Sequence, residues 1–364
     1  MTIGRRGLIA AGACALAASG ILRPNTASAA ATREQVRSAL GRMRGRTLVV
    51  ANWGGAYAES QRKALLEPFS QEFGIRVIED GPPTNPRIAA MVQSGNVTWD
   101  VASFGAEKVD AVGRENLLAD LDYGIIDAGP FRPNFATRWG VGFMTYSMVT
   151  AWRRDVFRGE QPARAADFWD FRRFPGRRSM KDEPQSTIPF ALLAAGVPRD
   201  QVYPMTAEKV ERGLAKLAEL GDNVLWWQQP PQSIQHLLSR EASMVHNYNG
   251  RLDAPIAEGQ PVGVMWEDAQ LFGDSWCIPR GSRNAELAMH FIAWSCFAEN
   301  NVRISSFITY GPANRDAFDM VPADRRAILP TSHVDRALVT DNAWWGEHLN
   351  AVTGRWQQWR LTRR

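Results

Sequence analysis

The chain has few cysteines, three in 364 residues. Cys14 lies in an apolar run near the N-terminus, which leaves Cys277 and Cys296 for the rest of the protein. Two cysteines do not make the disulfide framework that stabilises small secreted domains. Cys277 falls in a predicted strand and Cys296 in a predicted apolar helix, so the sequence predicts two buried free thiols.

The common catalytic signatures are missing as well. The sequence has no H-E-x-x-H, G-x-S-x-G or C-x-x-C motif and no phosphate-binding loop. An iron(III) site would favour clustered tyrosines late in the chain, where only Tyr310 occurs. We therefore predict neither a cofactor nor a metal, and keep a cofactor-bearing enzyme and an iron(III)-binding protein as alternatives. The histidines show no metal-ligand spacing: His236, His246, His290, His333 and His348.

Neither sign of charge is in large excess. The chain has 42 Lys and Arg against 38 Asp and Glu, a formal net charge of +4. Three of the basic residues, Arg360, Arg363 and Arg364, stand in the last five positions. The sequence therefore predicts no basic stripe for nucleic acid.

The N-terminus has the pattern of an export signal. Gly4-Arg5-Arg6-Gly7 is a twin-arginine start, and the apolar run from Leu8 to Leu22 is too short and too rich in small residues for a good membrane span. Ala27-Ser28-Ala29 is an A-x-A cleavage pattern. We predict a twin-arginine signal peptide at residues 1–29, cleaved near Ala29, and a periplasmic mature chain. An uncleaved anchor is the alternative.

The mature chain is long enough for two domains, and its first part alternates strands with helices. Strands are predicted at 47–53, 75–79 and 99–104, with helices at 57–73, 85–94 and 108–115. This order indicates a parallel sheet with helices on both faces, in which ligands bind beyond the carboxyl ends of strands. Those ends carry Trp53 in one strand and Ser103 and Phe104 in another.

A second α/β unit follows a long predicted strand at 139–146. The chain returns to the first unit through a strand at 271–279, after a separate strand at 262–266. The fold class is therefore α/β with two lobes. We assign 46–140 and 273–312 to the first lobe and 141–272 and 313–364 to the second.

The returning strand contains an acid in apolar surroundings. Asp274 lies at the middle of Leu271 to Pro279, which otherwise reads as a buried strand. A carboxylate in such a place is costly unless a cation or several donors meet it. Asp274 therefore has either a structural partner or a place in a cavity where a cationic ligand completes it. We favour the second interpretation.

Several segments, in order, resemble a known family. They are Leu48 to Gly55, Pro68 to Val77, Trp99-Asp100-Val101, Glu115 to Asp122, Asn247 to Gly250 and Gly273 to Pro279. The chain is similar to periplasmic solute-binding proteins of ABC importers, most of all to their spermidine- and putrescine-binding branch. The resemblance implies the type II periplasmic-binding fold, two α/β lobes joined by crossover strands that close on a ligand, and no catalysis. It implies a membrane permease with its ATPase as partners, and a monomer.

The resemblance also implies site residues. Asp274 matches the acid that holds an ammonium group, and Trp53, Tyr248 and Phe272 match aromatic walls. Polyamine binders of this family carry a pair of acids where this chain has Glu183 and Ser186, so one acid is replaced. Arg251 follows Tyr248, and an arginine there would repel a polycation.

One arginine and one aspartate in a cleft suit a zwitterion, which resembles the γ-aminobutyrate-binding members of the family. We therefore predict a polyamine or, preferably, an ω-amino acid as ligand. The alternatives are that Arg251 and Asp274 pair with each other, that Asp274 caps backbone N–H groups, and that Glu183 is a solvated loop acid. Trp226 and Trp227 either pack in the core or form part of the wall of the binding site. An interaction protein without a small ligand also stays open.

Overall fold

The computed structural model describes residues 30–131, 135–157 and 159–362. The predicted signal peptide, 1–29, lies outside the described residues. No helix in the described part is long and apolar enough to cross a membrane.

The first part of the described chain alternates strands and helices as predicted. Gly74 takes the left-handed conformation, with φ 64°, and ends the long helical segment that was predicted to stop there. A π-helical turn, Arg62–Leu66, interrupts that segment. The strands are β1 Thr47–Ala51, β2 Arg76–Asp80 and β3 Val101–Gly105, and the helices are α1 Arg33–Gly41, α2 Gly55–Gln61, α3 Glu67–Phe73, α4 Asn85–Ser94 and α5 Ala106–Arg114.

The second part contains the longest strands. They are β4 Val141–Arg153, β5 Arg178–Lys181, β6 Val224–Trp227, β7 Met244–Tyr248 and β8 Val262–Cys277. Its helices are α6 Pro184–Ala194, α7 Arg199–Val202, α8 Ala207–Ala218, α9 Pro230–Leu238 and α10 Asp253–Ala257. The Thr206 hydroxyl accepts a hydrogen bond from the Lys209 N–H and caps α8.

Most of the remaining elements are short, and only the first and the last helix of this group are longer. They are α11 Ala285–Cys296, α12 Ala298–Asn301, β9 Gly311–Pro312, α13 Arg315–Asp319, α14 Ala323–Arg326, β10 Leu338–Val339 and α15 Asn342–Leu361. Short 3₁₀ helices occur at Ala165–Trp169, Gly221–Asn223, Asn249–Arg251, Val302–Ser306 and Pro330–Arg336.

All ten strands belong to one hydrogen-bonded sheet. Its order is β2-β1-β3-β8-β4-β7-β5-β6, with β9 beside β4 and β10 beside β8. The outer strands of each half run parallel, β2-β1-β3 at one end and β7-β5-β6 at the other. The long strands β8 and β4 run antiparallel between the two halves. The fold is thus α/β with two lobes, as predicted.

The two long strands connect the lobes. β8 pairs with β3 at its carboxyl end, through Asp274 to Cys277, and β4 pairs with β7 at its own carboxyl end, through Met148 to Trp152. The expectation of separate strands at 262–266 and 271–279 is wrong, because β8 is continuous across both. The residues at which one lobe ends and the other begins stay a prediction.

Aromatic side chains fill the core of the first lobe. Trp276 stacks on Phe143 with ring centroids 3.8 Å apart, and Phe69 meets both Phe291 and Trp294 edge-on. The thiols of Cys277 and Cys296 are buried and free, as predicted. In the second lobe, Phe168 and Phe174 are buried in the core.

Candidate functional site

A cavity of about 150 Å³ lies between the two halves of the sheet. Its walls come mainly from the carboxyl ends of parallel strands, where backbone groups and side chains leave the sheet and converge. Tyr146 enters from the middle of β4, and Asp274 enters from near the carboxyl end of β8. The strand ends contribute Trp53 after β1, Glu107 and Lys108 after β3, Lys181 at the end of β5, Gln228 after β6 and Tyr248 at the end of β7.

Asp274 is a buried carboxylate that receives hydrogen bonds from phenols. Tyr57 donates to its Oδ2, and the Tyr146 hydroxyl donates to its Oδ1 over 3.2 Å. No ion pair involves Asp274 within the described residues. Burial raises the pKa of Asp274, and the two tyrosine hydrogen bonds offset this only in part. The carboxylate therefore lacks the full charge compensation that its burial requires.

Arg251 brings a cation into the same cavity. It ends the short 3₁₀ helix after β7, and its guanidinium Nη1 lies 3.1 Å from the point that a Cβ on Gly55 would occupy. Gly55 has φ +59°, so both its backbone conformation and this close approach favour glycine. The Arg251 Nε is buried without a hydrogen-bond partner, and no carboxylate of the described chain pairs with the side chain.

Two lysines and a glutamate form an ion cluster at the opposite wall. Lys181 Nζ lies 2.8 Å from Glu183 Oε2, and Lys108 Nζ lies 3.8 Å from the same oxygen. The Ser186 hydroxyl donates to the other oxygen, Glu183 Oε1, over 3.2 Å. Burial alone would raise the pKa of Glu183, but the Lys181 and Lys108 ammonium groups hold it below its ordinary value. This acid is compensated by the protein itself.

Glu107 is a third buried acid at the cavity. Its carboxylate lies 3.6 Å from Lys108 Nζ, and its Oε2 has no hydrogen-bond partner. Burial raises the pKa of Glu107, although the neighbouring ammonium group of Lys108 opposes that shift. Glu107 and Asp274 thus share the direction of their pKa shift, but only Glu107 has an ammonium group within ion-pair distance.

Four of the six tyrosines of the chain face this cavity: Tyr57, Tyr146, Tyr248 and Tyr310. The sequence showed only Tyr310 late in the chain, and the fold brings three tyrosines from earlier segments beside it. Burial raises the pKa of each of the four phenols, which favours their neutral form. Among the residues that the structure describes, no group of three or more His, Cys, Asp or Glu is placed to hold a metal ion.

The structure brings four of the nine predicted site residues to the cavity wall: Trp53, Tyr248, Arg251 and Asp274. The other five lie one layer further back. Phe104 meets Trp53 edge-on, Ser103 accepts a hydrogen bond from the Trp53 indole through its carbonyl, and Phe272 stacks on Tyr146. Glu183 reaches the cavity through Lys181, and Ser186 supports Glu183. A contact of any of the nine with a ligand stays a prediction.

Several alternatives from the sequence are decided by these contacts. Arg251 and Asp274 do not form an ion pair, and the partners of the Asp274 carboxylate are tyrosine side chains rather than local backbone N–H groups. Glu183 is not a solvated loop acid, because its side chain is only 17% exposed. Trp227 is fully buried, and Trp226 packs on the indoles of Trp356 and Trp359 in α15.

Sequence reasoning missed six charged or phenolic residues of the wall: Tyr57, Glu107, Lys108, Tyr146, Lys181 and Tyr310. Glu107 and Lys108 directly follow the carboxyl end of β3, where the parallel-sheet rule places ligands, so that rule could have found them. Lys181 is the last residue of β5, next to the segment with Glu183 and Ser186 that was considered for acids only. Tyr146 lay in a long predicted strand without any local signal for its position.

The chain belongs to the bacterial extracellular solute-binding proteins, whose family model matches residues 64–331. A γ-aminobutyric acid-binding protein of Pseudomonas aeruginosa is 30% identical over 330 residues, which are 88% of this chain and 93% of that protein. The expected resemblance to solute-binding proteins of ABC importers is therefore confirmed, and this protein is the substrate-binding component of such an importer.

Solved structures have the same fold. An ABC transporter substrate-binding protein from Bradyrhizobium japonicum is 30% identical and superposes with a TM-score of 0.82, covering 86% of this chain and 99% of that one. A periplasmic binding protein of Agrobacterium tumefaciens in complex with agropinic acid is 29% identical, with a TM-score of 0.78, over 86% of this chain and 98% of that one. The relatives are thus binding proteins, and their ligands differ.

Proposed function

We propose that this protein binds a small zwitterion with an amine at one end and a carboxylate at the other, an ω-amino acid such as γ-aminobutyrate. One observation carries the proposal. Asp274 and Arg251 line the same cavity, and neither has an oppositely charged partner among the described residues. A ligand that brings one positive and one negative group compensates both.

The amine would bind at Asp274. Desolvation makes the ionised carboxylate unfavourable in the empty cavity, and a ligand ammonium group removes that cost. A charge-assisted hydrogen bond to a buried carboxylate contributes about 1.5–3 kcal/mol. The hydroxyl groups of Tyr57 and Tyr146 each donate to one oxygen of the Asp274 carboxylate, which leaves the remaining lone pairs of these oxygens for the ligand.

The carboxylate would bind at Arg251. A guanidinium group presents a planar fork of donors that matches a carboxylate, and the Arg251 Nε has no other partner in the described chain. Lys108 and Lys181 are less suited to this role, because both already pair with Glu183. Arg251 is therefore the cation that the protein leaves for a ligand anion.

The size of the cavity favours a short ligand. At about 150 Å³ it has the volume of a cavity that accommodates benzene. γ-Aminobutyrate has one non-hydrogen atom more than benzene, whereas spermidine is longer and carries three cationic groups. The similarity to a γ-aminobutyric acid-binding relative supports the same ligand class. The relative that binds agropinic acid makes a larger amino-acid derivative the second candidate.

We further propose that the mature chain acts in the periplasm, after twin-arginine export and cleavage near Ala29, as a monomer. Its partners are a permease and an ATPase of the inner membrane. The lobes 46–140 with 273–312 and 141–272 with 313–364 would close around the ligand, since the cavity lies where β4 and β8 pass between them. Thermal shift with a ligand panel on residues 30–364 tests the binding function itself, because ligand at about 100 times Kd stabilises by roughly 2.7 kcal/mol.

Calorimetry with γ-aminobutyrate, β-alanine, putrescine and spermidine tests the ligand. We expect γ-aminobutyrate to bind, and Arg251→Met to weaken it at least about tenfold, because a buried charge-assisted hydrogen bond is lost. The matched control is Arg42→Met, an exposed arginine that bonds only Ser38. Tight binding of spermidine without binding of γ-aminobutyrate would refute the proposal, and metal analysis of the purified protein tests the iron(III) alternative.

A further inference from the structure

The cavity wall contains an ammonium group that the protein supplies itself. Lys181 Nζ lies 5.0 Å from the centre of the Tyr248 ring and 5.8 Å from that of Trp227, and it donates to the Tyr248 hydroxyl. Its ion pair with Glu183, at 2.8 Å, completes the arrangement. Two aromatic faces and one carboxylate around an ammonium are the groups that a protein uses to bind an alkylammonium ligand.

The acids of the cavity differ in what remains available on them. Glu183 already meets two lysines and the Ser186 hydroxyl, and Glu107 lies within ion-pair distance of Lys108. Asp274 is the one acid of the described wall without an ammonium partner. A ligand with a single cationic group can therefore be compensated in the cavity, whereas a second cationic group would approach lysines rather than a free carboxylate.

We propose that Lys181 is a specificity-determining residue, whose ammonium group occupies the place that the second ammonium of a diamine or polyamine would need. The lysine thereby restricts the cavity to ligands with one cationic group. This inference rests on the proposed function in one respect, that the amine of the ligand binds at Asp274. It adds the reason why a cavity lined by two acids and five aromatic side chains, with Glu183 behind the wall, does not take a polyamine.

The charge count of the wall agrees with this role. Asp274 and Glu107 in the wall, together with Glu183 behind Lys181, carry three formal negative charges, and the wall residues Lys108, Lys181 and Arg251 carry three positive ones. A zwitterion leaves this balance unchanged, whereas putrescine adds two positive charges. Removal of the Lys181 ammonium leaves one uncompensated negative charge next to the rings of Tyr248 and Trp227, which is the environment that a second ligand ammonium requires.

The test is Lys181→Met, which keeps an unbranched apolar stem and removes the charge. Calorimetry would measure the affinities for putrescine and γ-aminobutyrate in the wild type and the variant. We expect the ratio of putrescine affinity to γ-aminobutyrate affinity to rise by about ten- to one hundredfold, the effect of one charge-assisted contact together with relief of repulsion. Lys181→Arg keeps the positive charge and should keep the low ratio.

The matched control is Lys216→Met. Lys216 also lies over an indole, with its Nζ 5.6 Å from the Trp169 ring, and pairs with Glu219 at 2.6 Å, but it is far from the cavity wall. Its replacement should leave the ligand ratio unchanged. An unchanged ratio in Lys181→Met, in a wild-type background that binds γ-aminobutyrate, would overturn the inference and leave the proposed function intact.

A measurement on the wild type keeps the inference testable if the variants do not fold. N-Acetylputrescine has the four-carbon chain of putrescine but only one ammonium group, so it should bind more tightly than putrescine although its acetyl group makes it larger. Tighter binding of putrescine would overturn the role of Lys181. A wild type that binds putrescine and no γ-aminobutyrate would instead refute the proposed function.

Discussion

Two acids at the same cavity, Asp274 and Glu183, differ in the groups that the protein provides to compensate their charge. Burial penalises the ionised form of both. Glu183 receives two lysines and a serine, and its pKa falls below the ordinary value; Asp274 receives only two phenols, and its pKa rises. The two carboxyl groups therefore have opposite pKa shifts although desolvation acts on both in the same direction.

The difference separates a structural acid from a binding acid. At Glu183 the compensating cations are part of the chain, so the cluster is complete without a ligand and stabilises the wall. At Asp274 the cation is absent from the described wall, so the ionised carboxylate is a cost to the free protein and a source of affinity for an amine. A buried acid without a cation is thus the more informative one for function.

The largest effect is expected from Asp274→Asn. In calorimetry, the affinity for γ-aminobutyrate should fall by about one hundredfold or more, because removal of one partner of a buried charge pair costs roughly 2–5 kcal/mol. The same variant should be at least as stable as the wild type to urea without ligand at neutral pH, since the unfavourable buried charge is gone. A large loss of stability would contradict the role of Asp274 as a binding acid.

Glu183→Gln is the counterpart and should show the reverse pattern. It removes the carboxylate that pairs with Lys181 and leaves Lys108 with Glu107 alone, so we expect a loss of about 1–3 kcal/mol in urea-induced unfolding of the free protein. A stability equal to that of the wild type would show that the cluster does not stabilise the wall. The control is Lys216→Met, which breaks the ion pair of Lys216 with Glu219, an acid that is more exposed than Glu183. Its loss of stability should be less than about 1 kcal/mol.

The pH dependence should distinguish the two acids. The folded pKa of Asp274 lies above the ordinary carboxyl value of about 4, so the extra stability of Asp274→Asn should shrink as pH falls through that raised pKa. The folded pKa of Glu183 lies below its unfolded value, so its stabilisation is present above that value and is lost as pH falls through the folded pKa. Urea titrations of both variants and the wild type against pH measure the two windows.

Much of the fold could be predicted from the sequence, because its signals are local. The alternation of strands and helices, Gly74 at a helix end and Thr206 at a helix start each depend on a few neighbouring residues. The continuity of β8 could not be predicted in this way. β8 is a single strand although residues 266–269 have no partner in β4, and its pairing on either side of this irregularity is a tertiary effect.

The site could be predicted only where a residue stands out by its type. Asp274 was found because a carboxylate in an apolar strand needs a partner, and Arg251 because it follows an aromatic wall position. The partners themselves could not be found, since Tyr57 meets Asp274 across 217 positions of sequence. Lys181 carries no pattern at all in the sequence, and its role follows only from the rings and the acid around it.

The smallest effect is expected from Tyr57→Phe, which removes one donor from Asp274 and keeps the ring. The Tyr57 hydrogen bond lowers the pKa of Asp274, so its loss should raise that pKa further and shift the pH at which γ-aminobutyrate binding fails to a higher value. At neutral pH the affinity should fall about threefold to tenfold, the effect of one hydrogen bond to a charged group.

Tyr310→Phe is the control for this shift, because Tyr310 lines the same cavity and has no hydrogen bond to Asp274. In calorimetry over a pH series, the pH midpoint of γ-aminobutyrate binding should therefore shift for Tyr57→Phe and stay unchanged for Tyr310→Phe. Equal midpoints in all three proteins would mean that the protonation of Asp274 does not govern ligand binding. In that case the contrast between the two acids would concern stability alone.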